Sequence, residues 1–163
     1  MSGRSHPAVD RVLADLDRRG VQLCVRWLDE AASTAALAAA ALDVEVGQIA
    51  NSLVFLLDGA PSLVLTSGGH RVETEWLGEQ LGGVIGRASA SDVRAATGQV
   101  IGGVAPVGHP APLRTVVDTA LASSPAVWAA AGHPQTVYPT SFDEFVRVTG
   151  GEARAVVPPD ARQ

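Results

Sequence analysis

Val9, Val12, Leu13 and Leu16 recur at i, i+3, i+4 and i+7, the spacing of one helix face. It predicts a helix from Pro7 to about Gly20, with Ser5 as N-cap, Pro7 in the first turn and Gly20 as the stop. The period then changes. Val21, Leu23, Val25 and Trp27 alternate with Gln22, Cys24 and Arg26, which predicts a half-buried strand with Cys24 on its polar face. An alanine-rich run to Leu42 predicts a second helix, capped by Ser33 or Thr34. Ser52–Leu57 and Leu63–Thr66 are continuous apolar runs joined by Asp58-Gly59 and Pro61. They predict a β-hairpin buried on both faces. A short helix is expected around Trp76, Leu77 and Leu81, then a strand at Val84–Arg87. Ser89 or Ser91 starts a helix through Ala96 that Gly98 closes. After an irregular stretch from Gln99 to Pro112, strands are expected at Thr115–Asp118, Ala126–Ala130 and Thr136–Tyr138, with a helical turn between the first two. Ser141 and Glu144 form a capping box ahead of Phe142, Phe145, Val146 and Thr149 on one helix face, ended by Gly150-Gly151. Residues 152–163 are expected to be a loose tail. Helices and strands interleave irregularly around at least one hairpin. The expected fold is therefore a single α/β domain over residues 1–151, on a mixed sheet rather than a doubly wound parallel one.

Composition narrows the chemistry. The 163 residues are 47% hydrophobic, enough for one domain with a real core, but aromatics are only 4%, so Val, Leu and Ala must build it. The twelve cationic residues are all arginine. Without lysine there is no P-loop, no Schiff-base or pyridoxal-lysine chemistry and no Ser-x-x-Lys acyl transfer. A formal charge of −5 argues against a protein that coats long nucleic acid. It leaves room for one that grips only an end. Cys24 is the single cysteine, so no internal disulfide and no cysteine zinc site can form, and space filling outweighs nucleophilicity as its role. The N-terminus is too charged for a signal peptide, and no apolar run approaches ~18 residues. A cytoplasmic setting without membrane contact is expected.

His6, His70, His109 and His133 are not spaced as metal ligands along a helix, and no cofactor or metal is expected. No Gly-x-Ser-x-Gly is present and no carboxylate pair stands out. The segment Gly102-Gly103-Val104-Ala105-Pro106-Val107-Gly108-His109-Pro110 is different. Glycines let backbone approach a ligand, prolines stiffen the flanks, and a rigid loop of N–H groups suits an oxyanion or carbonyl. A tight structural turn is the competing reading and, on local chemistry alone, the stronger one. Gly132-His133 follows an expected strand, where a histidine is more often structural than catalytic.

The order of motifs resembles the YbaK/EbsC family, also called ProX or the prolyl-tRNA-synthetase-associated editing domain. The residues that carry the resemblance are Ile49–Phe55, Leu63–Val72, Ala95-Ala96-Thr97-Gly98 leading into Gly102–Gly108, and Val127–Pro134. It implies an α/β fold on a central, partly closed mixed sheet surrounded by helices. It also implies hydrolysis of the ester between a wrong small amino acid and the 3′ end of a tRNA, mainly tRNA for proline. The family's Gly-x-x-x-Pro loop falls on Gly102 and Pro106, making Gly102, Gly103 and Pro106 the reactive loop, with Val104 and Ala105 against the substrate. The glycine segment downstream falls on Gly132, with His133 beside it. Where relatives carry lysine in Ile-x-Lys-Ser/Thr-Leu, this chain has Asn51. Asn51 keeps hydrogen-bonding capacity but loses the charge, so Arg71, Arg87 and Arg114 are the candidate replacement cations, Arg71 counted with the substrate contacts. The resemblance implies the tRNA acceptor end as partner, with no DNA, and leaves a synthetase or self-association open. The alternative is a non-catalytic module that binds aminoacyl-adenosine, a tRNA end or a protein after losing the family lysine.

Overall fold

Strand pairing decides where the loop of Gly102 sits. The computed structural model describes residues 5–22, 25–32 and 34–158. Among them the helices are α1 (Pro7–Arg18), α2 (Ala35–Leu42), α3 (Thr74–Leu81), α4 (Ala90–Thr97) and α5 (Phe142–Thr149). The strands are β1 (Arg26–Trp27), β2 (Ala50–Leu57), β3 (Ala60–Ser67), β4 (Ile85–Arg87), β5 (Arg114–Asp118), β6 (Val127–Ala129), β7 (Thr136–Thr140) and β8 (Glu152–Arg154). Five strands form one sheet in the order β4-β2-β3-β5-β8. It is mixed, since β2 pairs antiparallel with β3 and β4 while β3–β5 and β5–β8 are parallel. The other strands form an antiparallel sheet, β1-β7-β6. A parallel bridge between Ile49 and Trp128 ties the start of β2 to β6, so the two sheets meet at a corner. The α/β fold on a mixed, partly closed sheet is as expected from the sequence.

Alternation along β2 and β3 divides the interior. Ala50, Leu63 and Leu65 enter the main core with Val12 and Leu16 of α1, Val93 of α4, Tyr138 and Phe145. Val64, on the opposite face, packs with Val116, Leu77 and Val156. Val12 and Leu16 are at most 1% exposed, and each such burial contributes ~1.5–3 kcal/mol.

Several local expectations change. His6, not Ser5, caps α1, its side chain accepting from the Ala8 N–H. The strand expected from Val21 shrinks to Arg26–Trp27, and Leu23 and Cys24 lie outside the described residues. The hairpin forms in the expected register around Asp58-Gly59, but only β3 is largely buried; β2 is half-buried along most of its length. Thr34 caps α2, and Ser89 caps α4 in a capping box with Asp92. Ser141 caps α5 as expected, while the Glu144 carboxylate accepts from Thr140 instead of completing the box. The start of the expected tail is ordered: β8 pairs with β5, and Val156 and Val157 are buried. The parallel edge of β5 and the apolar face beside Leu77 supply partners that a local pattern cannot reveal. Residues 159–163 lie outside the described residues. No helix among the described residues is long and apolar enough to cross a membrane.

Candidate active site

The loop after α4 is built around one side chain. Gly98 takes φ of 71° and ends the helix. The Thr97 hydroxyl donates to the Val93 carbonyl and accepts from the Gln99 N–H. This turns Gln99 inward, where it is 2% exposed. Its Oε1 accepts from the Ala105 N–H at 2.7 Å and its Nε2 donates to the Val107 carbonyl at 3.2 Å. The segment 99–108 therefore wraps a buried carboxamide. Its far end is pinned by the Gly108 N–H donating to Asp15 Oδ2 at 2.8 Å. His109 Nε2 donates to the Ala105 carbonyl at 2.9 Å.

The two adjacent glycines have different reasons. Gly102 has φ of 90°, a conformation costly for other residues. Gly103 is needed for space: a Cβ there would lie 2.6 Å from the His133 carbonyl carbon and 2.7 Å from the Pro134 nitrogen. That contact brings the Gly132 N–H to the Gly103 carbonyl at 2.9 Å.

Asn51, Ser52, Gly102, Val104 and Trp128 line a narrow cavity of about 40 Å³. Ala32, Ala35 and Ala38 contribute to its walls, and among the described residues no titratable side chain does. The Gly103 and Ala105 N–H groups are already bonded. Those of Gly102 and Val104 have no partner within the described residues. Ser52 fills the Ser/Thr place of the family pattern, and its buried Oγ has no hydrogen-bond partner among the described residues. Ser52 stands opposite Leu65, which packs in the core with Val104 and Ala105; Asn51 stands opposite Thr66. Pleating thus puts Ser52 on the loop's side of β2 and Asn51 on the alternate side. Apart from the family pattern, the hint in sequence is a hydroxyl inside a largely apolar run. Two unpaired N–H groups and one hydroxyl beside small apolar walls suit a carbonyl carrying a small substituent.

The remaining sequence candidates separate. Ala105 and Pro106 are buried within the loop. Gly132, with φ of 107°, and His133 border a second cavity of about 550 Å³. The His133 ring lies 5.1 Å from His6 and 5.3 Å from Trp27, centroid to centroid. Arg71 and Arg87 are exposed, and Arg114 Nε binds Glu152 at 2.9 Å. None of these three arginines borders the Asn51 cavity.

Burial pushes the His109 pKa down, outweighing the bond to the Ala105 carbonyl and the nearby Asp15 carboxylate. A histidine depressed in the folded state takes up its proton more readily when unfolded. Its contribution to stability is complete above the ordinary histidine range and is lost as pH falls through that range and below it. Thermal melts should show a steeper fall in Tm across that window for the native chain than for His109→Gln. Parallel curves would remove His109 from that role. Asp15 is also buried, which opposes its charge. The Gly108 N–H and the guanidinium groups of Arg19 and Arg18 outweigh that, and its pKa is lowered.

A family model described as the aminoacyl-tRNA editing domain matches residues 29–148. No curated protein matches the chain. Among solved structures, a candidate trans-editing enzyme for prolyl-tRNA synthetase is 36% identical, with a TM-score of 0.89, covering 95% of this chain and 99% of its own. A scaffold used for computational grafting of linear epitopes is 35% identical, with a TM-score of 0.89 and coverages of 94% and 99%. A protein described as hypothetical is 29% identical, with a TM-score of 0.83 and coverages of 90% and 98%.

Proposed function

The chain belongs to the aminoacyl-tRNA editing domain family, and from that premise we propose that it is a trans-acting deacylase. It hydrolyses the ester between a small mischarged amino acid and the terminal adenosine of a tRNA. The tRNA for proline is the first candidate, by similarity to the structure described for prolyl-tRNA synthetase. The observation that carries the reading is that Gly102 and Val104, whose N–H groups have no partner among the described residues, both border a cavity of about 40 Å³.

The amino acid's side chain occupies the alanine-walled cavity. Its ester carbonyl accepts from the Gly102 and Val104 N–H groups, which bind the oxygen more strongly as it gains charge. Water adds to the carbonyl carbon, the bond to the ribose oxygen breaks, and that oxygen leaves with a proton. With no titratable side chain on the cavity wall among the described residues, the substrate's own ribose hydroxyl or amine orients the water. Ser52 Oγ provides a further polar contact, and Asn51, where relatives have lysine, brings no charge to the cavity it borders.

The direct test incubates the protein with tRNA for proline charged with alanine, cysteine or serine. Release of at least one of them is expected, slowed about a hundredfold or more in Gly102→Ala, the scale of losing one oxyanion donor. No release above background from any of the three rejects the reading.

The uncharged Asn51 favours a second reading, a module that binds aminoacyl-adenosine without turnover. Loss of a charge-assisted contact costs ~1.5–3 kcal/mol, roughly ten- to hundredfold in rate if felt at the transition state. Saturable binding of a non-hydrolysable aminoacyl-adenosine analogue by a protein with no hydrolysis, together with activity gained in Asn51→Lys, would establish that reading.

A further inference from the structure

Five of the described arginines hold carboxylates: Arg18 and Arg19 with Asp15, Arg114 and Arg154 with Glu152, and Arg147 with Glu144. The other five, Arg11, Arg26, Arg71, Arg87 and Arg94, do not, and two of them, Arg11 and Arg94, share a cavity. Both border the cavity of about 550 Å³ beside His133, together with His6, and no carboxylate borders it. The Arg11 side chain reaches only the Gly98 carbonyl, at 3.3 Å, and the Arg94 guanidinium has no partner among the described residues. In a chain with formal charge −5, this is a concentration of positive charge without internal compensation. The cavity also offers flat rings, with His6 and His133 edge to face at 5.1 Å. His6 Nδ1 accepts from the Ala8 N–H, so the neutral ring carries its proton on Nε2 as a donor.

The location adds the decisive constraint. Ala31 borders this cavity and Ala32 the narrow one; Val100 borders this one and Gly102 the other; Gly132 borders this one and Ala130 the other. Three chain segments thus form a shared wall, with Gly103 packed against His133 in it. Two guanidiniums about a cavity lined by histidine rings match alternating phosphates and bases of a single strand.

We infer that this cavity seats the single-stranded 3′ end of an RNA, with Arg11 and Arg94 on its phosphodiesters and a base against the histidine rings. This inference rests on the deacylase reading for its choice of RNA over other phosphates. The 3′ end would then lie against the wall that the large cavity shares with the small one.

The test contains no ester, so it succeeds or fails separately from deacylation. Binding of a fluorescein-labelled cytidyl-cytidyl-adenosine RNA trinucleotide is followed by anisotropy over a salt series. Arg11→Gln/Arg94→Gln should weaken it about tenfold or more and reduce the slope of log affinity against log salt by about 1.4, the value for two single-strand phosphates. A control that also loses two charges, Arg147→Gln/Arg154→Gln, should change affinity less than about twofold. Arg94→Gln alone removes no internal bond; it guards against misfolding and should lose about half of the slope change. Undetectable binding by the native chain, equal binding by the cavity variants, or an equal loss in the control overturns the inference. AMP bound more tightly than the trinucleotide also overturns it, in favour of a mononucleotide site. A protein that binds the trinucleotide through Arg11 and Arg94 but hydrolyses no charged tRNA keeps this inference and loses the deacylase. Hydrolysis unaffected by these substitutions, with trinucleotide affinity also unaffected, does the reverse.

Discussion

Gln99→Leu should both destabilise the protein and silence the site. The leucine fills most of the same volume but leaves the Ala105 N–H and the Val107 carbonyl without the partners they have at 2.7 Å and 3.2 Å. Both groups belong to buried residues. Leaving a buried polar group unsatisfied costs ~1–3 kcal/mol, so the pair costs about 2–6 kcal/mol. That is a large part of an ordinary domain's stability. Val104 lies immediately before Ala105, so its N–H loses its aim with the loop, and deacylation should fall about a hundredfold. Urea denaturation measures the first effect and single-turnover hydrolysis the second. Gln99→Glu is informative beside it: its shape is retained and Ala105 can still donate, but the ionised carboxylate has no donor for Val107. A Gln99→Leu protein with native midpoint and rate would show that the carboxamide does not hold the loop.

Gly103→Ala is expected to act on geometry more than on hydrogen-bond count. The added methyl would meet backbone atoms of His133 and Pro134 at 2.6–2.8 Å, and backbone cannot rotate away as a side-chain tip can. Either the loop or the segment carrying Gly132 must move, breaking the 2.9 Å bond between them. Overpacking of this kind costs ~1–3 kcal/mol. A displacement near 1 Å at a reacting centre costs about a hundredfold in rate. The loss should therefore appear in kcat more than in Tm. Gly86→Ala serves as the comparison, because a Cβ there meets only the Leu56 carbonyl oxygen at 3.8 Å; it should be near neutral. Equal activities of the two variants would dismiss the close approach as a determinant of the site.

Much of the fold was legible because helix ends and turns depend on neighbours in sequence. Gly98 and Gly150 end their helices in the left-handed conformation, and Asp58-Gly59 turns the hairpin. The misreadings share a different cause. His6 caps α1 although Ser5 has the better capping side chain. Glu152–Arg154 forms a strand because β5 offers it an edge. The site divides along the same line. The glycine-rich loop and its family resemblance marked Gly102, Val104 and Asn51, which do meet at one cavity. Ser52 was legible only through the Ser/Thr place of the family pattern, and Arg71, marked as a replacement cation, lies exposed and does not border that cavity.

Most of the element order up to Gly151, the family and the absence of lysine follow from the chain alone, so any permanently charged cationic side chain here is an arginine. Periodicity, turn chemistry and composition are short-range properties and are complete in one dimension. Only the tertiary structure decided which groups are already satisfied. Gly103 and Ala105 spend their N–H groups inside the loop while Gly102 and Val104 keep theirs. Asp15 consumes Arg18 and Arg19 while Arg11 and Arg94 stay uncompensated. Hydrogen bonds and ion pairs are settled by distances between residues far apart in the chain, as with Gly108 and Asp15, separated by 93 positions.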